Sequence, residues 1–260
     1  VKNNPFAMSF SKFGTTMRIT SSYGKTIPEW FRPDLKDKNT LLRHILYRRH
    51  LGMNTFVLVL GNVRSGKSWF ALKKSELYME ASNQKFDANN QVSFTLIPFL
   101  RWSNSNTDSC YLVDEIQLSM GSREWWSNQN RIFNQFCDIQ GFRRNCAFFT
   151  MPNISYIDKH LRFLINYIVV TVNQGLVRWY KVNARHHIGK FWLDYMGTYR
   201  VSKPTKETTN IYEAMKKKYN DQHLKRSIEL LEEIQNPQNV KAYEDKRTGR
   251  ILYKDLDVLR

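Results

Sequence analysis

Gly61-Asn62-Val63-Arg64-Ser65-Gly66-Lys67-Ser68 is the stretch whose reading decides the fold. It satisfies G-x-x-x-x-G-K-[ST], and its neighbours supply the context that this pattern needs. Thr55 to Leu60 reads TFVLVL, an apolar run of the length of a buried parallel strand. Trp69 to Glu80 follows with apolar residues at helical spacing. Strand, glycine loop and helix in this order make a phosphate-binding unit. Gly61 and Gly66 permit backbone angles and a close approach that a Cβ would obstruct. The expected nucleotide-binding residues are Gly61, Asn62, Val63, Arg64, Ser65, Gly66, Lys67, Ser68 and Trp69, at the positive end of the following helix. Lys67 is expected at the β- and γ-phosphates of ATP, and the Ser68 hydroxyl on Mg²⁺. The plain alternative is a glycine turn before an ordinary helix.

Downstream, Cys110-Tyr111-Leu112-Val113 is a short apolar strand ending in Asp114-Glu115. After a phosphate loop, such a strand end supplies a carboxylate for Mg²⁺, here Asp114, and a base to polarise the attacking water, here Glu115. Taken alone, the same pattern also describes a strand that ends in a solvated acidic turn.

Composition narrows the class. The chain has 260 residues, 42% of them hydrophobic, enough for one large domain or a domain with extensions. A net charge of +17 implies a polyanionic partner, nucleic acid or an anionic membrane surface, since ATP alone needs no such excess. A generally basic soluble surface is the alternative. The cysteines, Cys110, Cys137 and Cys146, are odd in number and form no C-x-x-C pair, which points to a reducing, cytoplasmic setting. No window is long and apolar enough to span a bilayer, so stable membrane insertion is not expected. His186-His187 with Asp194 lacks the clustering of a metal site, and none is assigned there.

The expected organisation has three parts. Residues 1–54 comprise a polar arm, with a short strand over Thr15–Thr20, and an amphipathic helix over Thr40–His50 capped by Asn39 or Thr40. That helix turns Leu41, Leu42, Ile45 and Leu46 inward. Arg43, His44, Arg48, Arg49 and His50 form a basic face, open to nucleic acid or simply to solvent. Residues 55–202 form the core, with strands at 55–60, 91–96, 110–114, 145–150 and 167–172 and a helix over Ser127–Asp138. Val177–Val182 returns across Asn173-Gln174-Gly175 as a hairpin, and Phe191–Val201 adds a further strand. Residues 203–260 are a basic C-terminal extension. Its long helix over Glu207–Ile234 carries Lys216-Lys217-Lys218 as a solvated face or one that attracts a phosphate backbone, stops at Asn236-Pro237, and leads to a charged tail with a turn at Thr248-Gly249. Strands alternating with helices give an α/β fold with a mainly parallel sheet, helices on both faces and an antiparallel hairpin at one edge.

Three segments carry a family resemblance: Asp114-Glu115-Ile116-Gln117, Gln140-Gly141-Phe142-Arg143-Arg144, and Phe149-Thr150-Met151-Pro152 running through Ile157-Asp158 to Arg162. With the phosphate loop, they make residues 55–175 resemble the HerA/FtsK superfamily of P-loop ATPases, most like the zonula occludens toxin-like ATPases of viruses and mobile elements. The resemblance implies a RecA-like core, a homo-oligomeric ring, DNA as partner, and viral or plasmid protein partners. It implies that a neighbour's arginine completes each site, with Arg143, Arg144 and Arg162 as candidates. It also puts Thr150 at the corner where many members place a phosphate-sensing Gln before the proline. A dedicated DNA-gripping domain, frequent in members that pump duplex DNA, is not evident. Trp125 and Trp126, beside Arg123, either reach bases in a ring's pore or pack as core. Three functions follow: a DNA translocase or packaging motor driven by ATP and Mg²⁺, a non-motor virion assembly protein, and a replication-type switch in which ATP controls assembly.

Overall fold

Strand β1, Thr55–Leu60, is buried along almost its whole length because it lies in the middle of a sheet covered on both faces. A computed structural model describes residues 40–116, 143–156, 159–185, 189–235, 242–245 and 250–253. Chain order is α1 (Thr40–His50), β1, α2 (Lys67–Glu80), α3 (Ala88–Gln91), β2 (Val92–Ser93), α4 (Leu96–Ser105) and β3 (Cys110–Val113). There follow β4 (Cys146–Met151), α5 (Lys159–Leu164), β5 (Tyr167–Asn173), β6 (Leu176–Arg185), β7 (Lys190–Arg200) and α6 (Lys206–Gln235). The expected 15–20 strand, the Asn39 cap, Gln117, Arg123, Trp125, Trp126, the 127–138 helix with Cys137, and Gln140 lie outside the described residues. So do Asp158, His186, His187, Asn236-Pro237 and Thr248-Gly249.

The sheet order is β2-β3-β4-β1-β5-β6-β7. The first five strands run parallel, and β6 and β7 are antiparallel additions at one edge. The strand after the phosphate loop's own is therefore not its neighbour: β4 lies between β1 and the acidic strand β3. This is the RecA-like α/β arrangement expected from the sequence. It brings the C-terminal ends of β1, β3 and β4 to one rim, where ligands of such sheets bind.

Period-two alternation divides the core. Val57 and Val59 of β1, Leu112 of β3, Phe148 of β4 and Val169 of β5 face α1 and α2. Leu58, Val113, Phe149 and Ile168 face α4, whose Leu96 and Phe99 cover them. Burying an aliphatic or aromatic side chain at these positions contributes about 1.5–3 kcal/mol each. Leu41, Leu42, Ile45 and Leu46 of α1, the inward residues expected there, and Tyr212 of α6 belong to the first cluster.

Several expectations change. The 91–96 strand shrinks to Val92–Ser93. Asp87 caps α3 by accepting the Asn89 N–H, and the Gln91 side chain is drawn inward to Ser109 and the Cys110 carbonyl. Pro98 then sits in the first turn of α4, a helix not among the expected elements. The basic face of α1 is largely internal. Arg48 donates to the Asn54 carbonyl at 2.9 Å, Arg49 pairs with Asp108 at 3.0 Å, and His44 lies edge-on to Tyr167 and Trp179. The hairpin closes over Gln174-Gly175, where Gly175 takes φ +82°. Ala242–Asp245 and Arg250–Tyr253 form a separate two-stranded antiparallel pair, β8 and β9. Cys110 and Cys146 are buried and free, as expected of core cysteines.

Burial, helped by the nearby Lys181 ammonium, pulls the His44 pKa down to about 4 from 6.5. The unfolded chain therefore takes up a proton, between these values, that the folded chain refuses. The associated stability is present above pH 6.5 and is lost as pH falls toward 4. Between pH 7 and pH 5 this linkage amounts to about 2 kcal/mol. Urea unfolding at both pH values should show that decrement in the wild type and a smaller one in His44→Phe; equal decrements would refute the assignment.

Candidate nucleotide site

The loop between β1 and α2 depends on its glycines. Gly61 adopts φ +151°, and a Cβ there would collide with the Thr171 hydroxyl and stand 2.7 Å from Ser65 Oγ. Gly66, at φ +92°, is the residue before α2. Gly66 has no side chain to cap the helix and the first turn of α2 holds no acid, so the helix supplies no counter-charge of its own at its positive end. Sequence reasoning missed Thr171. Its hydroxyl donates to the Leu60 carbonyl at 3.0 Å and lies 2.6 Å from Ser65 Oγ, tying β5 to the loop. Lys67 folds over the loop and donates to the Gly61 and Asn62 carbonyls, both at 2.8 Å. Burial lowers its pKa against the pull of Asp114 and Glu115.

The acidic pair stands across from this loop. Asp114 is fully buried and accepts four bonds. Ser68 and Thr150 hydroxyls donate to its Oδ1, each at 2.7 Å. Tyr212 Oη and Lys216 Nζ donate to its Oδ2, at 2.6 and 3.0 Å. Lys216 also donates to Glu115 Oε1 at 2.8 Å. Glu115 itself sits at φ +50°, an uncommon left-handed conformation for a non-glycine residue. Its N–H is held by Thr150 Oγ1 at 2.9 Å. Thr150 thus joins the two acids, with its proton committed to Asp114.

Tyr212 and Lys216 are the second surprise. Their i, i+4 spacing puts both on one face of α6. The helix is pinned to α2 through Glu76, which accepts from the Thr205 N–H and hydroxyl at 2.9 and 2.8 Å. Burial opposes ionisation of Glu76, but the Thr205 and Thr208 bonds and Lys73 hold its pKa below the ordinary value. Tyr219, one turn beyond Lys216, stacks on Phe94 at 4.8 Å. Lys216 therefore does not belong to a solvated face. Burial resists its charge, yet the acids overcome this and raise its pKa. The Tyr212 phenol is raised by burial and by Asp114. A sequence signal existed: Ile211, Tyr212, Met215 and Tyr219 form an apolar stripe that flanks Lys216.

The donors suit a hard cation. A hydroxyl that gives its proton to Asp114 keeps its oxygen lone pairs, so Ser68 and Asp114 fit Mg²⁺ with phosphate oxygens completing the shell. Beside the loop, a cavity of about 250 Å³ is lined by Gly66, Trp69, Gln174, Arg200, Ser202 and Lys203. The Lys203 ammonium lies 5.1 Å from the Trp69 ring centre. Val63 is exposed on the loop, and Gln174 Nε2 approaches the Arg64 carbonyl at 3.4 Å.

The arginines are elsewhere. Arg143 and Arg144 precede β4, at the end of the sheet opposite Lys67. They bind the Asn104 carbonyl and Asp108 respectively. Arg162 lies on α5, next to Phe163, whose ring meets Phe191 of β7. Arg143 and Arg144 are thus not brought to Lys67 within one chain.

Thr150→Val would strip the acceptor from the Glu115 N–H and a donor from Asp114. The expected cost is about 1–3 kcal/mol in denaturant unfolding, with Thr150→Ser close to wild type. Equal stability of all three would mean that Thr150 does not organise the pair.

No family model and no curated protein matches the chain. Among solved structures, it is similar to the N-terminal domain of zonular occludens toxin from Neisseria meningitidis. The identity is 15% and the TM-score 0.37, over 61% of this chain and 98% of that one. The site is therefore assigned on its own geometry.

Proposed function

We propose that the chain is a Mg²⁺-dependent ATP hydrolase acting on DNA, as a translocase or packaging motor of a virus or mobile element. The observation that carries the hydrolase reading is the Ser68–Asp114 bond at 2.7 Å, which joins the phosphate loop to the acidic strand end. Lys67 would leave the loop carbonyls for the phosphates, and the N–H groups opening α2 would receive their oxygens. Mg²⁺, held by Ser68 and Asp114, would offset phosphate charge. Glu115 would accept the proton of the attacking water, with Thr150 fixing its backbone. The cavity beside Trp69 suits the base and ribose.

The DNA reading rests on the +17 charge and the family resemblance. In a homo-oligomeric ring, Arg143, Arg144 or Arg162 would serve a neighbour's site, consistent for Arg143 and Arg144 with their place at the end of the sheet opposite Lys67. Among described residues, no helix is long and apolar enough to cross a membrane. The proposed location is the cytoplasm, that of the host if the protein is viral. A nucleotide-controlled assembly factor is the second reading. The Lys216–Glu115 ion pair favours it, because it occupies the proposed base.

ATP turnover with and without duplex DNA tests these readings. Lys67→Ala should abolish turnover. Glu115→Gln should retain nucleotide and lose about 10²–10⁴-fold in rate. DNA stimulation should fall steeply with salt. Turnover indifferent to DNA would remove the motor reading, and turnover indifferent to Lys67→Ala would remove the hydrolase reading.

A further inference from the structure

Asp114 offers about four lone-pair sites, and all are taken: Ser68 and Thr150 on Oδ1, Tyr212 and Lys216 on Oδ2. One of these donors differs from the rest. Lys216 is the sole cation among them, and it bridges to Glu115 at 2.8 Å. Its side chain is 25% exposed, so it has an open path away from the acids, whereas Asp114 is fully buried and cannot turn outward. The Lys67 ammonium is engaged with loop carbonyls, and among the described residues Lys216 is the cation placed directly on both acids.

Two cations cannot share this position cheaply. A divalent ion on Asp114 would stand beside an ammonium bonded to the same carboxylate, in a site shielded from water. We propose that Lys216 is a positioning residue that holds Asp114 and Glu115 in a closed, ion-paired state and competes directly with the Mg²⁺ of a bound nucleotide. Loading the site then requires the ammonium to leave, and leaving frees Glu115 Oε1. Because α6 brings Lys216 and Tyr212 together, the helix registers whether the site is loaded. This inference rests on the nucleotide reading above and adds the residue that regulates it.

The test uses the full chain, a methylanthraniloyl-ADP probe and a Mg²⁺ titration of wild type, Lys216→Met and Lys216→Arg. Lys216→Met should reach half-maximal Mg²⁺-dependent probe binding at about tenfold less Mg²⁺ than wild type, with Lys216→Arg near wild type. In the wild type, amide exchange over residues 206–219 should quicken on adding Mg²⁺ and ADP. This second readout decides the matter even if Lys216→Met fails to fold. Equal Mg²⁺ midpoints in folded wild type and Lys216→Met, or slower exchange over 206–219, would overturn the inference while leaving nucleotide binding intact. Wild type that binds no probe, with or without Mg²⁺, would overturn the nucleotide reading and this inference together.

Discussion

A carboxylate without water must be surrounded by donors, and the Asp114 side chain sets that condition for the whole site. Leaving such a charge unpaired costs several kcal/mol, so its partners are obligatory. They come from separate parts of the chain: α2 gives Ser68, β4 gives Thr150, and α6 gives Tyr212 and Lys216. Fixing one oxygen pair therefore fixes where the phosphate helix starts, where the inserted strand ends and where the C-terminal helix lies. Thr150 extends this order to Glu115 through its N–H.

The sheet makes this convergence possible. Parallel strands deliver their C-terminal ends to one rim, and the placement of β4 between β1 and β3 puts Thr150 between the loop and the acids. Thr171 performs a similar service from β5, bracing the loop from the other side. The glycine loop, with no cap and no acid of its own at the start of α2, is held by this brace at Ser65 while Val63 at its tip stays exposed.

Much of this was legible where chemistry is local. The 61–68 loop, the apolar runs of β1 and β3 and the Gln174-Gly175 turn declare themselves within a few residues. Strand β2 did not, because the alternating stretch Gln91–Leu96 is cut short by a helix capped by Asp87 before it and a proline-bearing helix start after it. The basic residues of α1 were read by charge alone, yet Arg48 and Arg49 satisfy a carbonyl and a carboxylate. Lys216 was hidden by its neighbours Lys217 and Lys218. Three lysines in a row resemble a solvated face, and only tertiary structure shows that the first points to acids about a hundred residues earlier in the chain. Thr171 carried no sequence signal, since a threonine in a strand is ordinary.

The length of α6 has a mechanical consequence. The helix holds the site near its beginning, yet it runs on to Gln235, and Leu224, Ile228, Leu230 and Leu231 along that continuation are exposed. At 1.5 Å per residue the part beyond Lys216 extends about 28 Å. A rigid rod of that length turns a tilt of about 10° at its root into a sweep of about 5 Å at its far end. A shift too small to disturb the core would thus become, at the tip, a displacement comparable to one helical turn.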